Sequence, residues 1–320
     1  MVVKIASKSA KRKRQKKEPA QATLHQVADR RAPSFSTNIV SSVDQFKKVL
    51  PVKNMEELIA AGAYDALQFA IPWDNLNALV AAGVGEDIVR SLREASDKTA
   101  DTTARALRAA SGIKPVLSFD EGNPAVRRYV ETRTANLVQD ISKDGKNAIR
   151  QVILDSRLKE LGPREIISRI KGVIGLREDQ ARALRNYQDG LAEKGVPKSR
   201  INQLAKQREA RMMGQRADMI ARTESITAAN TGHQIGWEQA AGKGMFNPDE
   251  AEVMWVTAQD GDRVCNTCRP MDGVTRGFNE TWSVEIRSGG KGGGHVIDTM
   301  DVKVPNVVHP NCRCTAKLII

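Results

Sequence analysis

Aromatic residues are scarce: four Trp, three Tyr and six Phe make up 4% of the 320 residues. A large all-β sandwich draws on aromatic and β-branched side chains, so this scarcity argues for a helix-rich chain with an aliphatic core. Cysteine is rarer still, with four residues, too few for a disulfide-built scaffold. No run approaches the roughly 18 consecutive apolar residues of a membrane-spanning helix, so no membrane partner is expected. The first residues lack the apolar core of a secretory signal, and cytoplasmic synthesis is the default expectation.

What is present is enough to fold. Hydrophobic residues make up 40% of the chain and charged residues 28%, which excludes a wholly disordered chain. The length suits about two domains at roughly 100–200 residues each. The net charge of +12 is unevenly spread. Residues 1–20 hold eight basic residues and one acidic, residues 21–149 are balanced, residues 150–222 carry a net +8, and residues 223–320 a net −3. Lys11, Arg12, Lys13, Arg14, Lys16 and Lys17 have no apolar neighbours to fold against, so residues 1–36 are expected to be a basic disordered tail. Such a block attracts phosphate through counterion release without reading sequence, which makes these six residues the candidate DNA contacts. A merely solubilising tail is the plainer alternative.

Beyond the tail, a helical region is expected over 37–122, with apolar residues at helical spacing in Met55–Phe69 and Leu76–Leu107 and interruptions near Gly62, Gly83 and Gly85. Asn123-Pro124 pairs an N-cap with a first-turn proline and opens a helix that Gly162-Pro163 closes. Helices over 164–171 and 177–192 follow, then a long one over 199–241 with a bend at Gly214. After Gly242, Met254–Gln259 alternates like a strand, Asp260-Gly261-Asp262 and Asp272-Gly273 mark turns, Ser288–Gly294 reads as a mobile loop, and Cys314–Ile319 as a last strand. The fold class is therefore mostly α with a small C-terminal α+β module, and a long helix links the helical core of 123–242 to a Cys/His-rich domain at 243–320.

All four cysteines fall in that domain, as Cys265-x-x-Cys268 and Cys312-x-Cys314, with His309 three residues before Cys312. Two close thiol pairs separated by a loop can close a tetrahedral structural zinc site, with His309 able to replace one thiol and Asp272 nearby as an oxygen donor. A disulfide pair and four free thiols are the competing readings. The Asp260/Asp262 pair could bind a cation, but turn chemistry explains it equally well.

Ile220-Ala221-Arg222-Thr223-Glu224, then Ala228, Ala229, Asn230, Gly232 and Trp237, resembles the helix signature of phage head morphogenesis proteins, the Mu F-like minor head proteins of tailed bacteriophages. Trp255-Val256-Thr257-Ala258, Asp260, Arg263, Cys265, Cys268, Asp272-Gly273 and His309-Pro310-Asn311-Cys312-Arg313-Cys314 extend the resemblance over roughly residues 150–318. It implies a minor capsid protein of the virion, inside the head near the portal vertex and in the host cytoplasm during assembly. Implied partners are the portal protein, a capsid or scaffolding protein and double-stranded DNA. The implied role lies in procapsid assembly, DNA packaging or DNA ejection, by binding rather than catalysis. A zinc-dependent nuclease using His295 or His309 with the thiols is the alternative.

Helical spacing places Thr223, Thr227, Asn230, Gln234 and Trp237 on one stripe, flanked by Arg222 and Glu224. The expected role is a polar seam that docks the C-terminal module, with Arg222 and Glu224 in one partly buried network. Arg164, Arg169, Arg177, Arg182, Arg185, Arg200, Arg208, Arg211, Arg216 and Arg222 would track phosphate if they shared a face, and would be ordinary solvated residues if they ringed the helices.

Overall fold

A computed structural model describes residues 19–111, 120, 122–257, 264–288 and 295–320. The basic run from Lys11 to Lys17, the Asp260–Asp262 turn and residues 289–294 lie outside the described residues.

Among the described residues, eight α-helices come first: α1 (Pro19–Lys48), α2 (Val52–Ala60), α3 (Tyr64–Phe69), α4 (Trp73–Ser111), α5 (Pro124–Leu158), α6 (Pro163–Val173), α7 (Glu178–Glu193) and α8 (Lys198–Gly242). Five strands follow: β1 (Glu252–Val256), β2 (Thr275–Gly277), β3 (Trp282–Arg287), β4 (Val296–Val302) and β5 (Thr315–Ile319). The mostly α class with a small C-terminal sheet module is what the chain adopts.

The N-terminal reading needs correction. The expected tail over 1–36 gives way to α1 at Pro19, and α1 runs through Pro33. Leu24, Val27, Phe35, Ile39, Val43 and Phe46 follow one another at intervals of three, four and eight residues, which keeps them on one face, and are all fully buried. At about 1.5–3 kcal/mol per buried large side chain, that stripe outweighs the roughly 3 kcal/mol that an interior proline costs. The interruption expected near Gly83 and Gly85 is also absent, since α4 is unbroken there. Gly83 is used for close approach: a Cβ at this position would sit 3.3 Å from Cβ of Asn38 on α1. The helix α8 likewise passes through Gly214 without a break.

Asn123 caps α5 as its sequence implies, its Oδ1 accepting from the Ala125 N–H at 2.8 Å. The main hydrophobic core runs from Ala32 to Ile235 and includes residues of α1, α2, α3, α4, α5, α6, α7 and α8. It therefore crosses the expected boundary at residue 122, and the helices before and after that point fill one interior.

The C-terminal module has its own core of Phe246, Val253, Trp255, Met271, Phe278, Trp282 and Val284, to which α8 contributes Trp237 and Ala240. β1 is the centre of a three-stranded antiparallel sheet of order β2-β1-β5, with Val253 opposite Arg276 on one side and Leu318 on the other. β3 and β4 form a separate antiparallel ribbon. Trp255 and Trp282 meet edge to face at 5.3 Å between centroids and join the two sheets. No helix of the described residues is long and apolar enough to cross a membrane.

Candidate metal centre and the seam on the long helix

The turn after β1 carries Cys265 and Cys268, and the string before β5 carries His309, Cys312 and Cys314; packing of the module brings the two together. His309 Nε2 lies 2.9 Å from Cys265 Sγ and 3.2 Å from Cys268 Sγ. Cys268 Sγ lies 3.7 Å from Cys312 Sγ. Two triads result, Cys265–Cys268–His309 and Cys268–Cys312–Cys314, with donor atoms within 4.8 Å of one another in each. The five donors expected from the sequence thus converge, and these groups could hold a metal ion. All four cysteines are free thiols, so the disulfide alternative is not realised.

The donor chemistry fits a cation. The 3.7 Å separation of the Cys268 and Cys312 sulfurs matches the edge of about 3.8 Å expected for a tetrahedron around an ion about 2.3 Å from each sulfur. His309 Nδ1 lies 2.8 Å from the Pro310 carbonyl oxygen, which can only accept. The Nδ1 proton is therefore committed there, and Nε2 faces the sulfurs, an orientation shared with ligating histidines held by a backbone carbonyl. Proton ownership across the cluster alternates. The hydrogen bond from Cys268 holds Cys265 down at about 4. Cys268 also holds Cys312 down. Cys268 and Cys314 are pushed up. Contact with Cys265 raises His309 to about 11. Shared protons thus relieve a repulsion among electron-rich donors that a divalent cation held by either triad would relieve further.

Asp272 is not part of this cluster. Its Oδ1 accepts from the Thr257 N–H at 3.0 Å and from the Thr257 hydroxyl at 2.7 Å, closing the turn behind β1. Gly273 follows with φ +79°, and its N–H donates to the Trp255 carbonyl at 2.8 Å. The Asp-Gly pair is a turn device, its glycine taking the left-handed backbone that other residues avoid.

The string 309–314 lies between α1 and α8. From α8, the Thr223 hydroxyl accepts from the Asn311 N–H at 3.0 Å, and Asn230 Nδ2 donates to the Cys314 carbonyl at 3.1 Å. From α1, His25 Nε2 lies 2.8 Å from the Arg313 carbonyl, and Asp29 pairs with the Arg313 guanidinium at 2.9 Å. Further along α8, Gln234 Oε1 accepts from Arg276 at 3.3 Å. Trp237 enters the module core with the His233 ring 3.9 Å away. Burial alone drives His233 down to about 3.

Arg222 and Glu224 do not share a network. Two residues apart on a helix means about 200° of rotation, so they face opposite ways. Glu224 is buried and takes a two-pronged ion pair from Arg133 of α5 at 2.6 Å through both oxygens. Arg222 is exposed and lines a cleft of about 420 Å³ with Asp29, Asn311 and Arg313.

The arginine-rich segment is divided as well. Arg169 pairs with Asp189 and Glu165, Arg185 with Asp155, and Arg216 with Asp144, all three buried. Arg177 pairs with Asp179, and Arg208 stacks on Tyr187 at 4.6 Å. Arg164, Arg182, Arg200, Arg211 and Arg222 remain exposed and without an ion pair among the described residues.

Two important residues escaped the sequence reading. Arg276 is buried and donates to the carbonyls of Gly277, Phe278 and Lys303 at 2.6–3.0 Å, with its guanidinium 4.4 Å from the Trp282 ring centre. Burial lowers it to about 10. Arg133 was likewise one basic residue of a helical run. Nothing local marks either position; each is selected by acceptors distant in sequence.

Residues 187–317 match the model of the family described as phage Mu protein F like protein, which covers the C-terminal half of α7, all of α8 and the module through β5. This supports the phage head morphogenesis family and, with it, a place in the virion. No curated protein and no solved structure matches the chain.

Proposed function

We propose that this protein is a minor capsid protein of a tailed phage, seated inside the head at the portal vertex, which contacts the portal, a capsid or scaffolding protein and DNA by binding rather than catalysis. The observation that carries the reading is the match over residues 187–317. It coincides with a helix and a module docked on it through the Thr223, Asn230, Gln234 and Trp237 contacts. Zinc is the ion proposed for the Cys265, Cys268, His309, Cys312 and Cys314 cluster, since thiolate and imidazole donors select it and a small module gains folding energy from such a clip. When bound, the ion supplies a crosslink between the β1 turn and the 309–314 string. His309 would orient through Pro310, and the thiols would surrender their protons.

The polycationic run Lys11–Lys17 supports the DNA part of the reading, and its contacts would be to phosphate without base preference. The function is tested by quantifying the protein in purified procapsids and mature heads against portal subunits. A fixed low ratio to portal is expected in both. Its absence from both particles, or cleavage of plasmid by the purified protein in Mg²⁺ that chelation stops, would defeat the proposal.

A further inference from the structure

Three exposed arginines on α8 repeat at an interval of eleven residues: Arg200, Arg211 and Arg222. Eleven residues advance an α-helix by about 16.5 Å and by three turns plus about 20°, so the three guanidiniums rise from one stripe. Gln203, Gln207 and Gln215 lie on the same stripe and are also exposed. None of the three arginines has an ion pair among the described residues; Arg200 donates to Gln203 Oε1 at 2.6 Å. The single acid on the stripe is Asp218, whose Oδ1 accepts from the Ser36 hydroxyl at 2.7 Å. The last arginine stands at the cleft whose other wall carries Asn311 and Arg313, the latter paired with Asp29.

We infer that this stripe is a phosphate rail for duplex DNA, lying along the duplex. From Arg200 to Arg222 the helix rises about 33 Å, close to the roughly 34–36 Å of one turn of B-form DNA. The outer arginines then meet the same strand one turn apart, and Arg211, halfway between, reaches the opposite strand across a groove. The glutamines add neutral donors for phosphate oxygens between them. The fit is to a charged ladder of fixed pitch, so the rail binds any sequence. This inference rests on the DNA-binding reading above and adds to it a structured surface separate from the Lys11–Lys17 run.

The test uses the full chain and a duplex of about two turns, with affinity followed by fluorescence anisotropy over about 0.05–0.2 M salt. Replacing Arg200, Arg211 and Arg222 together by Gln is expected to reduce the slope of log affinity against log salt by about 2.7, at about 0.9 per phosphate contact. Helical content and melting temperature are expected to hold, because the three side chains are exposed. Asp218→Asn, which keeps an acceptor for Ser36, is expected to raise affinity. An unchanged slope in the triple variant, with the wild type still binding, overturns the rail alone. Wild-type protein that shows no salt-dependent binding overturns the DNA reading and the rail together. A triple variant that binds DNA normally but is lost from procapsids assigns the stripe to an acidic protein surface and also overturns the rail.

Discussion

Single side chains at the junction of α8 and the module decide more than their number suggests. His233 is fully enclosed, its Nδ1 has no hydrogen-bond partner among the described residues, and burial holds its pKa at about 3. An unfolded chain would protonate it near 6.5. Between those values the unfolded state binds the additional proton, so stability rises with pH in this window and is lost as pH falls from about 6.5 towards 3, by about 1.4 kcal/mol per pH unit. Above 6.5 both states are neutral and the contribution vanishes. His233→Leu is therefore expected to flatten the acid limb of a melting-temperature profile below pH 6.5; parallel profiles for variant and wild type would count against the assignment. Arg276 acts differently: burial lowers it as well, but its guanidinium satisfies backbone carbonyls. Arg276→Met keeps the volume and strands the acceptors at Phe278 and Lys303, whereas the Gly277 carbonyl keeps the Glu280 N–H at 3.1 Å. With about 1–3 kcal/mol for each stranded acceptor, a loss of about 2 kcal/mol or more is expected in urea unfolding followed by tryptophan emission. A loss under 1 kcal/mol would mean that water replaces the guanidinium.

At the scale of elements, helix packing depends on where small residues fall. A Cβ at Gly232 of α8 would stand 2.7 Å from the carbonyl oxygen of Leu92 and 3.2 Å from its Cα, both backbone atoms of α4 that cannot swing aside. Gly214, on the same helix, would meet nothing within 4 Å. Gly232→Ala is expected to cost about 2 kcal/mol or more by forcing the helices apart. Gly214→Ala is expected to stabilise by about 0.5–1 kcal/mol through helix propensity. Calorimetric melts of the two variants should move in opposite directions, and shifts of the same sign would show that α4 and α8 do not cross at Gly232. The contrast also shows what the sequence made legible. The helices from Pro124 onward carry caps, prolines and periodicity in their own residues, so they could be read locally. Helix α1 could not: Pro33 and a polar stretch argue for a linker, and only the burial of Leu24, Phe35 and Phe46 against distant helices reverses that. The five metal-site donors were legible because their spacing is a local pattern. The Arg133–Glu224 pair was not, because the partners lie 91 residues apart on different helices.

In the whole molecule two interiors share one helix, and their tryptophans report on them separately. Trp73 packs against the helical core, whereas Trp237, Trp255 and Trp282 sit in the core of the module. The helical core has 36 buried apolar residues, enough to stand without a staple. The module has 17 among the described residues, five of them contributed by α8 or by the metal-site donors themselves: Trp237, Ala240, Cys268, Cys312 and Cys314. A core that small relies on crosslinks. If zinc joins the β1 turn to the 309–314 string, its removal withdraws binding free energy that is also folding free energy. Chelation should then loosen the module, shift the emission of its three tryptophans to the red and free four thiols to a reagent, while the far-ultraviolet helical signal persists. The coupling runs through the seam, so Asn230→Ala, which removes the donor to the Cys314 carbonyl, is expected to lower the chelator concentration needed. Loss of helical signal in step with the tryptophan shift would instead make the two interiors one cooperative unit. No change on chelation, with thiols already reactive beforehand, would show that the five donors hold protons alone.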